Sequence, residues 1–206
     1  MKCRLSPRFT AMACALSDIL RGIGPGAFVG VAGPSGAGKD SVMAAAREIL
    51  RGRDEIVFPK RIVTREPDAT EENIPLPREE FRRMAEEGGF ALAWEAHNLF
   101  YALPVEIDNE IANGRVVVAN VSRSVVPEIR RRYTRGLVAL IDAPAHVRRE
   151  RLAGRGRETA VAVEDRLLRE VRSFRPCDAD LVIQNGGRLE DAALALSRFI
   201  SCLARH

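Results

Sequence analysis

Residues 33–40 read GPSGAGKD, and this stretch decides the fold. It fits the phosphate-binding loop pattern G-x-x-x-x-G-K-[ST] at every position but the last, where Asp40 stands in place of the hydroxyl residue. Gly33, Gly36 and Gly38 allow a tight backbone whose N–H groups converge on a phosphate chain. Lys39 brings a point charge to the terminal phosphates, and the helix that follows adds the positive end of its dipole. The run from Gly33 to Ser41, with Pro34, Ser35 and Ala37 between the glycines, is the expected ATP-binding segment.

The flanks supply the context such a loop requires. Phe28–Ala32 is a short apolar run that ends at the loop and reads as a buried strand. Lys39–Leu50 is the helix that carries the loop, closed near Gly52. Downstream, strands are expected at Arg115–Val121, Leu137–Ile141 and Leu181–Gln184, with helices at Val105–Ala112, Val125–Tyr133, Ala145–Leu152, Val161–Ser173 and Leu189–Leu203. This alternation is that of an α/β protein with an open parallel sheet and helices on both faces. Ligands bind such sheets at the carboxyl ends of the strands. The segment from about Arg61 to Leu103 breaks the alternation. Arg61–Thr64 reads as extended, residues 65–77 as a proline-rich loop, Pro77–Glu87 as a helix, and Phe90–Trp94 and Leu99–Leu103 as short strands. It is the candidate inserted substrate-binding lobe, taken as residues 60–103 of a domain covering 26–206.

A length of 206 residues suits one domain with a small insertion. Apolar content of 46% and charged content of 29% are ordinary for a soluble globular protein. The net charge of +4 rests on arginine, since Lys2, Lys39 and Lys60 are the only lysines. Either genome base composition or selection for anionic ligands accounts for that excess. The basic runs Arg130–Arg132 and Arg148–Arg151 are short, lack aromatics and fall in helical patterns. They read as solvated helix faces, so no nucleic-acid partner is expected. No run is long enough to span a bilayer, and no membrane partner is expected either. Cys3, Cys14, Cys177 and Cys202 form no CxxC pair, which favours a reducing, cytoplasmic compartment. Residues 1–25 read as an N-terminal extension with one amphipathic stretch, Met12–Leu20, and Met12 is a candidate alternative start. Oligomeric state is open, a homodimer included.

A phosphoryl transferase needs a donor cradle, a metal, an acceptor clamp and a screen against water. Asp40 either ligates Mg²⁺ directly or through water, the favoured reading, or it only complements the helix dipole while Ser41 supplies a hydroxyl. The strand ending at Val121 carries no terminal acid, which raises the value of Asp40. The GRGRE run at 154–158 reads as a glycine-hinged lid spanning 153–160, or as a solvated turn. Arg155 and Arg157 lie in it, with Arg151 before and Arg166 after, and arginines on a closing lid stabilise charge on the transferring group. With Lys39, these are the expected catalytic residues. Arg65 after Thr64, and Arg123 after Ser122, are forked donors suited to phosphate. His97 and Tyr101 are polar aromatics of the lobe that either bind or pack.

With those residues in hand, the chain resembles the guanylate kinase-like branch of the P-loop kinases from about Ala27 to Leu203. The resemblance runs through GPSGAGK, Thr64-Arg65, the Trp94 strand, Tyr101, RLAGRGRE at 151–158, Arg166-Leu167 and Asn185-Gly186. It implies a P-loop NTPase-type sheet with an arginine lid. Three departures stand out. Ala93 replaces the acid that reads guanine, Asp68 replaces a second phosphate-gripping arginine, and Ala102 replaces a glycine. Within the branch, the chain is most similar to the ribose 1,5-bisphosphate phosphokinases of phosphonate utilisation. GPSGAGKDS, RIVTRE at 61–66, Glu72-Asn73, ALAWEAHNLFYALPVEID at 91–108, NVSR at 120–123 and RGRE at 155–158 carry that similarity.

The resemblance implies ATP as co-substrate, Mg²⁺, and a sugar bisphosphate acceptor converted to 5-phosphoribosyl 1-diphosphate, a precursor of nucleotides and NAD. It adds Arg61, Glu72 and Asn73 to the expected acceptor-binding set of Thr64, Arg65, His97, Tyr101, Ser122 and Arg123. A base-free acceptor agrees with Ala93, and an ionised phosphate nucleophile needs no general base. The competing readings are a guanylate or other nucleoside monophosphate kinase, and a guanylate kinase-like interaction domain without catalysis. The latter class tends to lose the loop lysine and lid arginines that this chain keeps.

Overall fold

The computed structural model describes residues 22–65, 73–96, 98–153 and 178–204. The expected lid, the expected helix Val161–Ser173, and Glu72, His97, Arg155, Arg157 and Arg166 lie outside the described residues. Strand β1 (Ala27–Ala32) is buried at all six positions. It is held on both sides by parallel partners, β7 (Val116–Asn120) and β8 (Gly136–Asp142). With β2 (Ile56–Val57) at one edge and β9 (Leu181–Gln184) at the other, the sheet runs β2-β7-β1-β8-β9, all parallel.

Alternate strand residues face opposite sides, so each face has its own core. Val29, Val31, Val116, Val118 and Ile141 face α1 (Lys39–Ile49) and α6 (Leu189–Leu203), which contribute Val42, Ala46, Leu196 and Ile200. Phe28, Val117 and Ala119 face the other way, against Ile107 and Ile111 of α3 (Ile107–Ala112) and Ile129 of α4 (Val126–Arg132). Helix α1 forms because its sequence, KDSVMAAAREI, is rich in alanine and places Val42 and Ala46 one turn apart on the buried side. Asp40 in its first turn and Arg47 in its last oppose the helix dipole at each end. Helix α5 (Ala145–Ala153) follows β8. No helix among the described residues is long and apolar enough to cross a membrane.

A second sheet, β4-β3-β6-β5, comes from the segment that breaks the alternation. Strands β5 (Phe90–Ala96) and β6 (Leu99–Pro104) form an antiparallel hairpin, and β3 (Ile62–Val63) adds antiparallel to β6. One of its faces sends Leu92, Trp94 and Leu103 into the core beneath β7. The other packs Ile62 and Ala102 on Phe81 of α2 (Arg78–Glu86), whose ring meets Phe90 at 4.6 Å and Phe100 at 5.6 Å.

Three details depart from the sequence expectations. Ile74–Pro75, expected within a loop over 65–77, forms β4 and pairs parallel with β3. Ile56–Val57 is a strand that no periodicity announces, because two residues are too few to show one. The expected helix Val125–Tyr133 begins as a 3₁₀ turn at Arg123–Val125, and only Val126–Arg132 is α-helical. Residues 22 and 23 are tied to the segment between α4 and β8. Ile23 N donates to Arg132 O at 2.8 Å, and Thr134 N donates to Ile23 O at 3.0 Å.

Below β1, at the end away from the loop, Tyr133 is 1% exposed and stacks on Phe28 with ring centroids 5.0 Å apart. Its hydroxyl donates to Asp108 Oδ1 at 2.9 Å, and Arg132 donates to both oxygens of the same carboxylate. Burial first, and then the Asp108 charge, push the Tyr133 phenol well above its ordinary pKa. The folded state thus keeps this proton longer than the unfolded chain does. Stability from this group is complete below the unfolded value of about 10 and is lost as pH rises past it. Tyr133→Phe should cost about 1–3 kcal/mol in urea denaturation at neutral pH. It should also flatten the decline in stability above that pH, and leave nucleotide affinity unchanged.

Candidate active site

The loop after β1 is shaped by close approach to three neighbours. A Cβ on Gly33 would meet Ile141 O of β8 at 2.0 Å, and one on Gly36 would meet Arg148 O of α5 at 2.7 Å. Gly38 has φ +84, and a Cβ there would meet Asn185 Nδ2 at 2.6 Å. The left-handed turn at Gly38 leads directly into α1, so the loop ends on that helix's free N–H groups. Lys39 Nζ donates to Gly33 O at 2.9 Å and Pro34 O at 3.1 Å, which keeps its charge inside the loop. Asn185, 2% exposed at the end of β9, donates Nδ2 to Ala37 O at 2.8 Å. Arg151, in the last turn of α5, reaches the same carbonyl at 3.4 Å.

Asp40 is the second residue of α1, and its side chain is half exposed. Its Oδ1 accepts from Asn120 Nδ2 at 2.6 Å, and Arg61 Nη2 stands 3.8 Å from the same oxygen. Register makes this meeting possible, because Asn120 ends β7 directly beside Val31 of β1. The amide stands at the strand end where the sequence reading notes the missing acid. Ser41 follows Asp40 in the first turn and is exposed. A carboxylate and a hydroxyl beside the loop form an all-oxygen donor set of the kind that suits Mg²⁺ held jointly with phosphates.

Asp40, Ser41, Lys60, Arg61, Asn73 and Asn120 are among the residues lining an open groove of about 1200 Å³, which also runs along α1 and the segment that follows it. Arg61 is the link to the second sheet. Its guanidinium lies 5.8 Å from the Tyr101 ring centre, and Tyr101 in turn stacks on Trp94 at 5.8 Å. The column Trp94–Tyr101–Arg61 carries a cation from the hairpin to the loop. Other expected acceptor ligands are placed differently. Thr64 is buried, and its Oγ1 accepts from Phe100 N at 2.9 Å, extending the β3–β6 pairing. Ser122 Oγ accepts from Ser124 N at 3.3 Å and caps the 3₁₀ turn that Arg123 opens. Thr64, Arg65, Ser122 and Arg123 are not among the residues lining the groove.

Ala93 and Ala102 are cross-strand partners in the hairpin. Ala102 is fully buried in the small core around Phe81, which accounts for a side chain where glycine was expected. Lys60 and Asn185 carry no individual role in the sequence reading, and Asn120 enters it only as the first residue of NVSR at 120–123, a segment expected to help clamp the acceptor. The signal for Asn120 was present, as a polar residue closing the run VVVAN at the carboxyl edge of a buried strand. Asn185 carried a fainter one, an Asn-Gly pair at the end of the last strand.

No family model matches the chain. It is similar to a guanylate kinase of known structure from Anaplasma phagocytophilum, with a TM-score of 0.63 at 18% identity over 90% of this chain and 88% of that one. That likeness shows the fold. It is 43% identical to a ribose 1,5-bisphosphate phosphokinase PhnN of Bradyrhizobium diazoefficiens, over 86% of this chain and 89% of the relative. It is 49% identical to one of Brucella melitensis, over 80% and 86%, and 46% identical to one of Burkholderia pseudomallei, over 85% and 95%. Agreement of that depth over four-fifths or more of the chain shows that the chain belongs to the ribose 1,5-bisphosphate phosphokinase PhnN family.

Proposed function

We propose that the chain transfers the γ-phosphoryl group of ATP to the 1-phosphate of ribose 1,5-bisphosphate, giving ADP and 5-phosphoribosyl 1-diphosphate. The observation that carries this reading is Arg61, just before β3, standing 3.8 Å from the loop acid Asp40, which sets a cation suited to phosphate beside the donor loop. An oxygen of the acceptor's 1-phosphate forms the new bond to the γ-phosphorus, and the bond to the β,γ-bridging oxygen breaks. The nucleophile is ionised at neutral pH, so the chain's residues position and screen charge instead of removing a proton.

Lys39 and the backbone of residues 33–41 hold the donor phosphates. Arg151 and the sequence-assigned Arg155, Arg157 and Arg166 offset charge on the transferring group. Arg61, Asn73 and Tyr101 receive the acceptor, together with Thr64, Arg65, Glu72, His97, Ser122 and Arg123 as assigned from the sequence. Asp40 and Ser41 are the metal ligands of this reading, and Mg²⁺, when bound, neutralises the β- and γ-phosphate oxygens. A guanine-reading acid has no counterpart, since Ala93 offers no hydrogen-bonding group.

Phosphorus NMR of ATP with ribose 1,5-bisphosphate should show the diphosphate product and ADP, with GMP inert in a parallel tube. Turnover of GMP in place of the sugar bisphosphate would reject the reading. Lys39→Ala should lower kcat by roughly 100–1000-fold while the protein stays folded by circular dichroism. Arg61→Ala should raise KM for the acceptor more than KM for ATP, as expected of a residue that binds mainly the acceptor.

A further inference from the structure

The pair formed by Asn120 and Asp40 has a role that nothing in the loop motif assigns. Asn120 is only 8% exposed, and it sits on a strand paired in register with β1, so its side chain leaves from a rigid base. Asp40 is different. It is half exposed at the head of a helix, 80 residues earlier in the chain. The Asn120 amide at 2.6 Å and the Arg61 guanidinium at 3.8 Å both meet Oδ1. The chemistry at position 120 is also constrained. A buried strand end tolerates a neutral amide far better than an unpaired charge. A carboxylate there would set two like charges within hydrogen-bond distance, whereas the amide supplies an N–H that a carboxylate can accept.

We propose that Asn120 is a positioning residue for phosphoryl transfer: it holds Asp40 through Oδ1 and so reserves Oδ2 for the divalent cation that accompanies ATP. The acid stands on the helix and its orienting amide on the strand. This rests on the reading of Asp40 as a Mg²⁺ ligand given above, and it extends that reading to the group that orients the ligand.

The test is calorimetric titration of the full chain with ATP, with and without Mg²⁺. The ratio of the two dissociation constants measures how much the cation adds to binding. In Asn120→Ala that ratio should fall by roughly 10–100-fold, through weaker MgATP binding, while metal-free ATP binds as before. In an Asp40→Asn background, Asn120→Ala should have no further effect on the ratio, because the two act as one unit. If Asn120→Ala melts below the working temperature, Asn120→Ser, polar but too short to reach Asp40, serves for the same measurement. An unchanged ratio in the variant, beside a clear Mg²⁺ effect in the parent, overturns the proposal alone. An equal loss of binding with and without Mg²⁺ overturns it too, by assigning Asn120 to support of the loop. A parent chain with no Mg²⁺ effect, or an Asp40→Asn variant that keeps the full effect, overturns both this proposal and the metal-ligand reading of Asp40.

Discussion

Parallel pairing on both sides of β1 is the constraint from which the site follows. Val31 lies beside Asn120 and Ala139, and Ala32 beside Leu140, so three strands finish at nearly the same height. Their carboxyl ends open together, and the loop after Ala32 emerges between the end of β7 and the end of β8. Each is buried on both faces, by helices or by the second sheet, so close packing holds its side chains in place. The loop therefore inherits its position from hydrophobic packing well away from any ligand.

Within that frame the loop is pressed close by its neighbours. Gly33 against β8, Gly36 against α5 and Gly38 against Asn185 each leave less room than a Cβ needs. The glycines thus do two jobs. They permit the turns, as any such loop requires, and they let β8, α5 and β9 close around it. Asn185 and Arg151 converge on one carbonyl, that of Ala37, and so brace the loop from the side opposite Asp40.

The second sheet acts through a single column. Trp94 is anchored in the core under β7, Tyr101 stacks on it, and Arg61 lies over Tyr101 while approaching Asp40. A cation delivered this way faces the groove on the side proposed for the acceptor, whereas Lys39 stays within the loop proposed to hold the donor. Arg61 so touches the elements assigned to both substrates. The hairpin's other face is spent on its own small core, and this explains why Ala102 carries a methyl group.

Local chemistry was enough to read the loop, the helix it opens, the long apolar strands and the family likeness. Each rests on residues adjacent in the chain or on a periodicity that several residues share. The last strand, Leu181–Gln184, matches its expected limits for the same reason. The two-residue strands β2 and β4 had no such signature, because their extended shape comes only from the partners they pair with. The backbone hydrogen bonds of Thr64 and Ser122 had no such signature either, since the groups their hydroxyls bond are set by the hairpin and the 3₁₀ turn. Asp40 was visible as an anomaly from its motif, but its partner was not. Asn120 reaches it only because β7 lies next to β1, and Asn185 reaches Ala37 across 148 residues because β9 closes the far edge. Those contacts belong to strand order, and strand order is settled by how the faces of the sheet are buried, a property of the whole chain and of no segment within it.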